Sequence, residues 1–209
     1  MSIFHSAKDF GEPVKVYDSG MPDESYWGSL FDIPLIVDWL DLDAVSAPIV
    51  EIGCGYGTFT IPIASRTDVD VHAFDIEPSM IEVTKKNAQE AGIHNVYLHL
   101  RDVMEHGTGI ESESVGMVLL FNILHSDERR ILLEEASRIL KPNGIAAIIH
   151  WRKDIETPRG PDIESRPDKQ MILNAIKGLN LSFGGNSRLL EPYHWGMQLL
   201  KTFNHTEET

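Results

Sequence analysis

The segment Ile49-Val50-Glu51-Ile52-Gly53-Cys54-Gly55-Tyr56-Gly57-Thr58-Phe59-Thr60 decides how this chain folds. A short apolar run ends in an acid, glycines follow at alternate positions, and Phe59, Ile61, Ile63 and Ala64 then take up a helical spacing. That order reads as strand, tight turn and helix. Glycine at positions 53, 55 and 57 permits backbone angles closed to other residues, and it lets a ligand lie against the main chain with no Cβ in the way. A helix beyond Gly57 presents unpaired N–H groups and the positive end of its dipole, which favours a carboxylate or phosphate. The expected ligand is nucleotide-like.

The next strand, Val69-Asp70-Val71-His72-Ala73-Phe74-Asp75, also ends in an acid. Its position after the glycines is where doubly wound folds place the carboxylate that accepts from two ribose hydroxyls. A dinucleotide fingerprint would need its third glycine at the position of Thr58 and has no use for an acid at Glu51. The pattern E-x-G-x-G-x-G is therefore a different signature.

Further along, Glu77-Pro78-Ser79-Met80 opens a helix with proline in its first turn, and Met80, Ile81, Thr84, Ala88 and Ala91 give it an apolar face before Gly92. Asn95 to Leu100 alternates as a third strand and stops at Arg101-Asp102-Val103. Val115 to Asn122 is nearly all apolar, as suits a central parallel strand buried on both faces. It ends beside Asn122 and His125, at the carboxyl edge where ligands of open α/β sheets bind. A helix is expected over 127–140 with a mixed stripe of Ile131, Leu132, Glu135 and Ile139, broken by Lys141-Pro142-Asn143-Gly144. The next strand is Ile145 to Trp151. Such alternation of strand and helix predicts a parallel sheet.

A loop from Arg152 to Pro167 follows, rich in proline, glycine and charge; loops this long in compact domains are often functional. A helix over 168–179 and a closing strand within 188–201 complete the pattern, with Phe183-Gly184-Gly185-Asn186 as the intervening turn. At the other end, residues up to about Pro22 read as an irregular arm. Trp27, Leu30, Phe31 and Leu35 give residues 23–40 a helical spacing that Pro34 kinks or divides.

The 209 residues suffice for one α/β domain, and 42% apolar with 24% charged residues is ordinary for a globular chain. No apolar run approaches the ~20 residues of a membrane span, and Met1-Ser2-Ile3-Phe4-His5 lacks the features of a signal peptide. The cytoplasm is the expected compartment, with no membrane partner. The single cysteine, Cys54, excludes an internal disulfide and a cysteine-based zinc site, and reads as a small residue packed in the turn. No metal is expected. A net charge of −14 with no Lys/Arg run argues against a nucleic-acid partner.

Taken together, the motifs from about Val50 to Trp151 resemble the class I S-adenosylmethionine-dependent methyltransferases. Ala73-Phe74-Asp75-Ile76-Glu77-Pro78-Ser79-Met80 and Leu119-Leu120-Phe121-Asn122-Ile123-Leu124-His125 are most similar to the small-molecule (type 11/25-like) branch. The resemblance implies a Rossmann-like, doubly wound, mostly parallel seven-stranded sheet with helices on both faces and the last strand antiparallel. It divides the chain into an arm and lid helix (1–45), a cofactor-binding domain (46–203) and a frayed tail (204–209).

By the same resemblance, S-adenosylmethionine is the methyl donor. Glu51, Gly53, Cys54, Gly55 and Gly57 would address its methionine end, Asp75 the ribose, Asp102 and the Val103 N–H the adenine, and Ile76 one face of the ring, with Asn122 at the same edge. The lid would bring Tyr17, Tyr26, Trp27 and Phe31 to the acceptor pocket, although Trp27 and Phe31 equally suit a helix face docked on the sheet. Displacement at an activated methyl chiefly needs the acceptor held in line. Where a base is needed, His125 is the first candidate and His150 the second, and Tyr26 could touch a substrate through its hydroxyl. The expected acceptor is a small molecule. Two other readings use the same fold: a binding module without turnover, and a nicotinamide-dependent oxidoreductase.

Overall fold

The computed structural model describes residues 21–203. Most of the expected arm, Tyr17 and the tail from Asn204 lie outside the described residues. Seven strands form one sheet: β1 (Ile49–Ile52), β2 (Val71–Asp75), β3 (Val96–Leu100), β4 (Val115–Phe121), β5 (Leu140–Trp151), β6 (Leu181–Leu190) and β7 (His194–Lys201). Their order is β3-β2-β1-β4-β5-β7-β6. The first five pair in parallel, and β7 runs antiparallel to both β5 and β6. The chain leaves β1 for β2 on one side and returns across it to β4 on the other. That reversal opens a crevice at the strands' carboxyl ends.

The connections are α3 (Thr60–Ala64), α4 (Pro78–Glu90), α5 (Val103–His106), α6 (Arg129–Ile139) and α7 (Lys169–Ala175), preceded by α1 (Glu24–Gly28) and α2 (Ile33–Leu40). Every residue of β4 is buried, because side chains alternate into two cores. Val118 and Leu120 enter one with Leu132, Leu133 and Ile172. Met117, Leu119 and Phe121 enter the other with Ile36, Leu40 and Ile63. At about 25 cal/mol per Å² of apolar area, these two cores are the main force holding helices to sheet.

Several local expectations need correction. The helical segment over 23–40 is two helices, with Asp32 capping α2 through Leu35 N (3.0 Å) and Pro34 in its first turn, where the missing N–H costs nothing. Ile131 is 40% exposed and so lies off the buried stripe of α6. Lys141-Pro142-Asn143-Gly144 does not separate helix from strand: β5 already begins at Leu140, opposite Val115, and the segment is an irregularity within it, with Asn143 at φ +63°. Likewise Phe183-Gly184-Gly185-Asn186 is no hairpin turn but a register shift inside β6. An added Cβ on Gly184 would come within 2.9 Å of Leu200, so glycine there serves close packing against β7. The reversal is made by Glu191-Pro192-Tyr193 instead. No helix among the described residues is long and apolar enough to cross a membrane.

Candidate active site

The glycine turn is built as backbone. Gly53, Gly55 and Gly57 have φ of +82°, +54° and +77°, angles that disfavour any side chain. Gly53 and Cys54 both donate to the Phe74 carbonyl (2.8 and 2.9 Å), tying the turn to the end of β2. Thr84 of α4 donates to the Gly55 carbonyl (2.6 Å). A Cβ on Gly57 would lie 2.8 Å from the Thr84 methyl, so this glycine is required by packing as well as by angle. Gly53 is exposed, with the Ile123 side chain alongside it, and the Met21 methyl sits near Gly55. Helix α3 is only five residues long and starts at Thr60, with Phe59 before it, so little dipole stands behind the turn.

Carboxylates surround it. Asp75 accepts from Gly55 N (2.8 Å) and Glu77 N (2.9 Å), while burial pushes its carboxyl upward. Glu51 is 1% exposed; Thr60 donates to its Oε2, and Oε1 has no partner. Burial raises the Glu51 carboxyl to about 8. Cys54 is buried beside Thr84, and burial drives its thiol far above the ordinary range, which makes it inert. Ile76 follows Asp75 and is half-buried. Asp102 is buried and caps α5 by accepting from Glu105 N (3.1 Å), with Val103 as the first residue of that helix.

At the end of β4, Asn122 has φ +59°, and neither atom of its buried amide finds a partner. The half-buried His125 places Nδ1 3.3 Å from the Asn122 carbonyl, and burial lowers the imidazole's affinity for a proton. His150 lies behind it, fully buried, with ring centroids 6.2 Å apart. His150 therefore meets no solvent in this conformation. His194, which sequence reasoning passed over, pairs across strands with Trp151 and is also fully buried, stacked on Phe31 at 4.3 Å. Of the eight buried side-chain nitrogens and oxygens without a partner among the described residues, seven belong to Glu51, Asn122, His150 and His194. All four lie within one residue of a strand terminus, at the carboxyl ends of β1, β4 and β5 and the start of β7. Each such atom costs about 1–3 kcal/mol, so their clustering marks where polar ligand atoms are wanted.

Above this edge, α1 is fastened to the glycine turn. The Tyr56 hydroxyl donates to Pro22 O (2.6 Å), and Asn87 of α4 donates to both Glu24 Oε1 (2.6 Å) and Tyr56 O (3.1 Å). Neither Tyr56 nor Asn87 stands out in the sequence, since each is a polar residue with no local pattern. Trp27 and Phe31 pack edge to face at 4.9 Å and continue through Phe59 to Phe121, so these rings are the docked face of the segment 24–31. Tyr26 is 42% exposed. A depression of about 520 Å³ between α1 and the turn is lined by Asp23, Glu24, Ser25, Gly28 and Thr58.

Residues 49–144 match the family described as a methyltransferase domain. An uncharacterized methyltransferase-like protein of Schizosaccharomyces pombe is 30% identical over 156 residues, which are 72% of this chain and 54% of that one. The chain thus spans about half the length of that relative. A tRNA N(3)-methylcytidine methyltransferase of the same yeast is 26% identical over 121 residues (54% and 39% of the two chains), and aklanonic acid methyltransferase of a Streptomyces species is 38% identical over 61 residues (28% of each). Among solved structures, an S-adenosylmethionine-dependent methyltransferase from Aquifex aeolicus superposes with a TM-score of 0.73 at 21% identity, over 86% of this chain and 94% of that one, which shows a shared fold.

Proposed function

We propose that this chain, whose residues 49–144 match a methyltransferase domain, is a class I S-adenosylmethionine-dependent methyltransferase that transfers the methyl group to a small-molecule acceptor by in-line displacement. The observation that carries this reading is the run of orphaned polar atoms beside exposed glycine backbone at the switch between β1 and β4. The group fits these residues. Gly53 leaves main chain bare, and Glu51 Oε1 offers an unmet acceptor of the kind an amino group satisfies. Asp75 holds the turn through Gly55 and stands at the ribose position, Asp102 and Val103 lie at the end of β3 for the adenine, and Ile76 flanks it. Bound there, S-adenosylmethionine supplies a methyl group already activated by its sulfonium.

The chain's own residues then position and enclose. Asn122 offers one donor and one acceptor at the strand end, and the lid rings of Trp27 and Phe31 keep water from the edge. His125, neutral near pH 7 because burial disfavours its charge, can accept a proton from an oxygen or nitrogen acceptor. Tyr26 is a second group able to touch the acceptor. Orientation of this kind can supply ~7–11 kcal/mol of rate enhancement. The charge of −14 favours a small molecule over a nucleic acid as acceptor.

Melting curves with S-adenosylmethionine, its demethylated product S-adenosylhomocysteine, or NAD test the reading. A ligand at about a hundred times its Kd adds ~2.7 kcal/mol. Stabilisation by the first two and not by NAD is expected; stabilisation by NAD alone would make the protein an oxidoreductase, and binding with no methylation of any acceptor would make it a binding module. Asp75→Ala should weaken S-adenosylhomocysteine at least tenfold, since charge-assisted hydrogen bonds are worth about 1.5–3 kcal/mol. His125→Ala should leave that affinity within a factor of about two while slowing turnover; equal losses in affinity would overturn this division of roles.

A further inference from the structure

Arg166 closes the long loop after β5, and only 4% of it is exposed. Its Nε donates to Pro161 O (2.8 Å) and its Nη1 to Arg152 O (2.7 Å), both neutral carbonyls. Among the described residues it makes no ion pair within 4 Å. Asp162 favours its charge only from beyond ion-pair distance, and those two bonds leave other N–H groups of its fork for a further acceptor. The position is specific. Arg152 follows Trp151, whose cross-strand partner is His194, and Arg152 N donates to Tyr193 O (2.8 Å). The guanidinium therefore sits at the strand end that carries the orphaned imidazole, whose ring lies 4.2 Å from that of Trp151.

Two groups meet at one place: a buried cation with no carboxylate in contact, and an imidazole without a hydrogen-bond partner. Burial holds His194 at about 3, so its ring is neutral and keeps one N–H to donate. Among the described residues, no group of three or more His, Cys, Asp or Glu is placed to hold a metal. A planar anion with two oxygens is the partner a guanidinium fork matches best.

We propose, building on the methyltransferase reading above, that the acceptor is a small molecule bearing a carboxylate, and that Arg166 with a ring N–H of His194 receives it. Strands lie about 4.8 Å apart, so this anchor at the β5–β7 end stands roughly 10–14 Å from β1, where the methyl donor is held. The carboxylate is then a handle that orients the acceptor, and the methylated atom belongs to the acceptor's other end. Trp151 walls the handle, and Gly160 lies against its indole so closely that an added Cβ would come within 2.9 Å. The loop that carries Arg166 must part from Trp151 to admit the acceptor.

The test uses the full chain saturated with S-adenosylhomocysteine at fixed ionic strength. Benzoate, its neutral counterpart benzamide, and inorganic phosphate are titrated while the melting temperature is followed, in wild type, Arg166→Gln and Arg166→Lys. Expected is a saturable rise with benzoate and none with benzamide, weakened at least tenfold in Arg166→Gln and partly restored in Arg166→Lys. Equal effects of benzoate and benzamide, undiminished benzoate binding in Arg166→Gln, no benzoate effect at all, or a response to phosphate alone would each overturn the proposal. Should Arg166→Gln fail to fold, the benzoate–benzamide contrast in wild type and Arg166→Lys decides. Titration of S-adenosylhomocysteine itself separates the two claims: binding of it without a benzoate effect sinks the carboxylate anchor alone, whereas no binding of it sinks the methyltransferase reading.

Discussion

Glu51 shows how one position serves both chemistry and stability. It sits inside the sheet with one oxygen held by Thr60 and the other unmet, and burial raises its carboxyl from 4.5 to about 8. In the unfolded chain the same group ionises near 4.5, so between pH 4.5 and 8 the folded state binds more protons, and stability falls as pH rises through that window. Glu51→Gln removes this slope. The melting temperature of the variant should therefore gain on wild type from pH 5 to pH 8; an unchanged difference would mean the carboxyl ionises normally. A cofactor ammonium set beside Oε1 would also drive the proton off. Calorimetry of S-adenosylhomocysteine binding near pH 7 should then show a heat that varies with the ionisation enthalpy of the buffer.

At the scale of elements, the turn between β1 and α3 depends on contacts with α4. Gly57→Ala would force φ +77° on an alanine and drive its Cβ to 2.8 Å from Thr84, and Thr84 also holds the Gly55 carbonyl. Strain in the left-handed region costs about 1–3 kcal/mol. The variant should melt several degrees lower and bind S-adenosylhomocysteine at least tenfold more weakly; a variant like wild type would show that the turn is slack. Helix α1 is held more lightly. Asn87→Ala removes its bonds to Glu24 and Tyr56, each worth about 0.5–1.5 kcal/mol. Faster amide exchange over residues 23–31 with little change in exchange of β4 is the expected outcome, and uniform protection would mean that the aromatic contacts alone hold α1.

For the molecule as a whole, buried histidines set the response to acid. Burial lowers His194 to about 3 and His99 to about 4, and it also lowers His72, His125 and His150. Unfolding frees these rings to take protons below their ordinary 6.5, so their contribution is present above that pH and is lost as pH falls. The slope is opposite in sign to that of Glu51. With five imidazoles against two raised carboxyls, Glu51 and Asp75, melting temperature should drop steeply from pH 6.5 to 4. His194→Phe should make that drop shallower; an equally steep drop in the variant would show that His194 is not the neutral buried ring described.

The parallel order of β1 to β5, the glycine turn and its carboxylates were legible along the chain, because each rests on local chemistry. Buried strands need apolar runs, tight turns need glycine, and strand ends leave polar side chains at one edge. The misread segments, 141–144 and 183–186, look like breakers when read locally, yet pairing with β4 and β7 carries the strands through them. The Asn87 and Tyr56 fasteners, the His194 ring and the burial of Arg166 were decided by tertiary structure alone. Apart from the loop carbonyls that hold Arg166, their partners lie tens of residues away along the chain, and no periodicity in a sequence records which polar groups folding will leave unpaired.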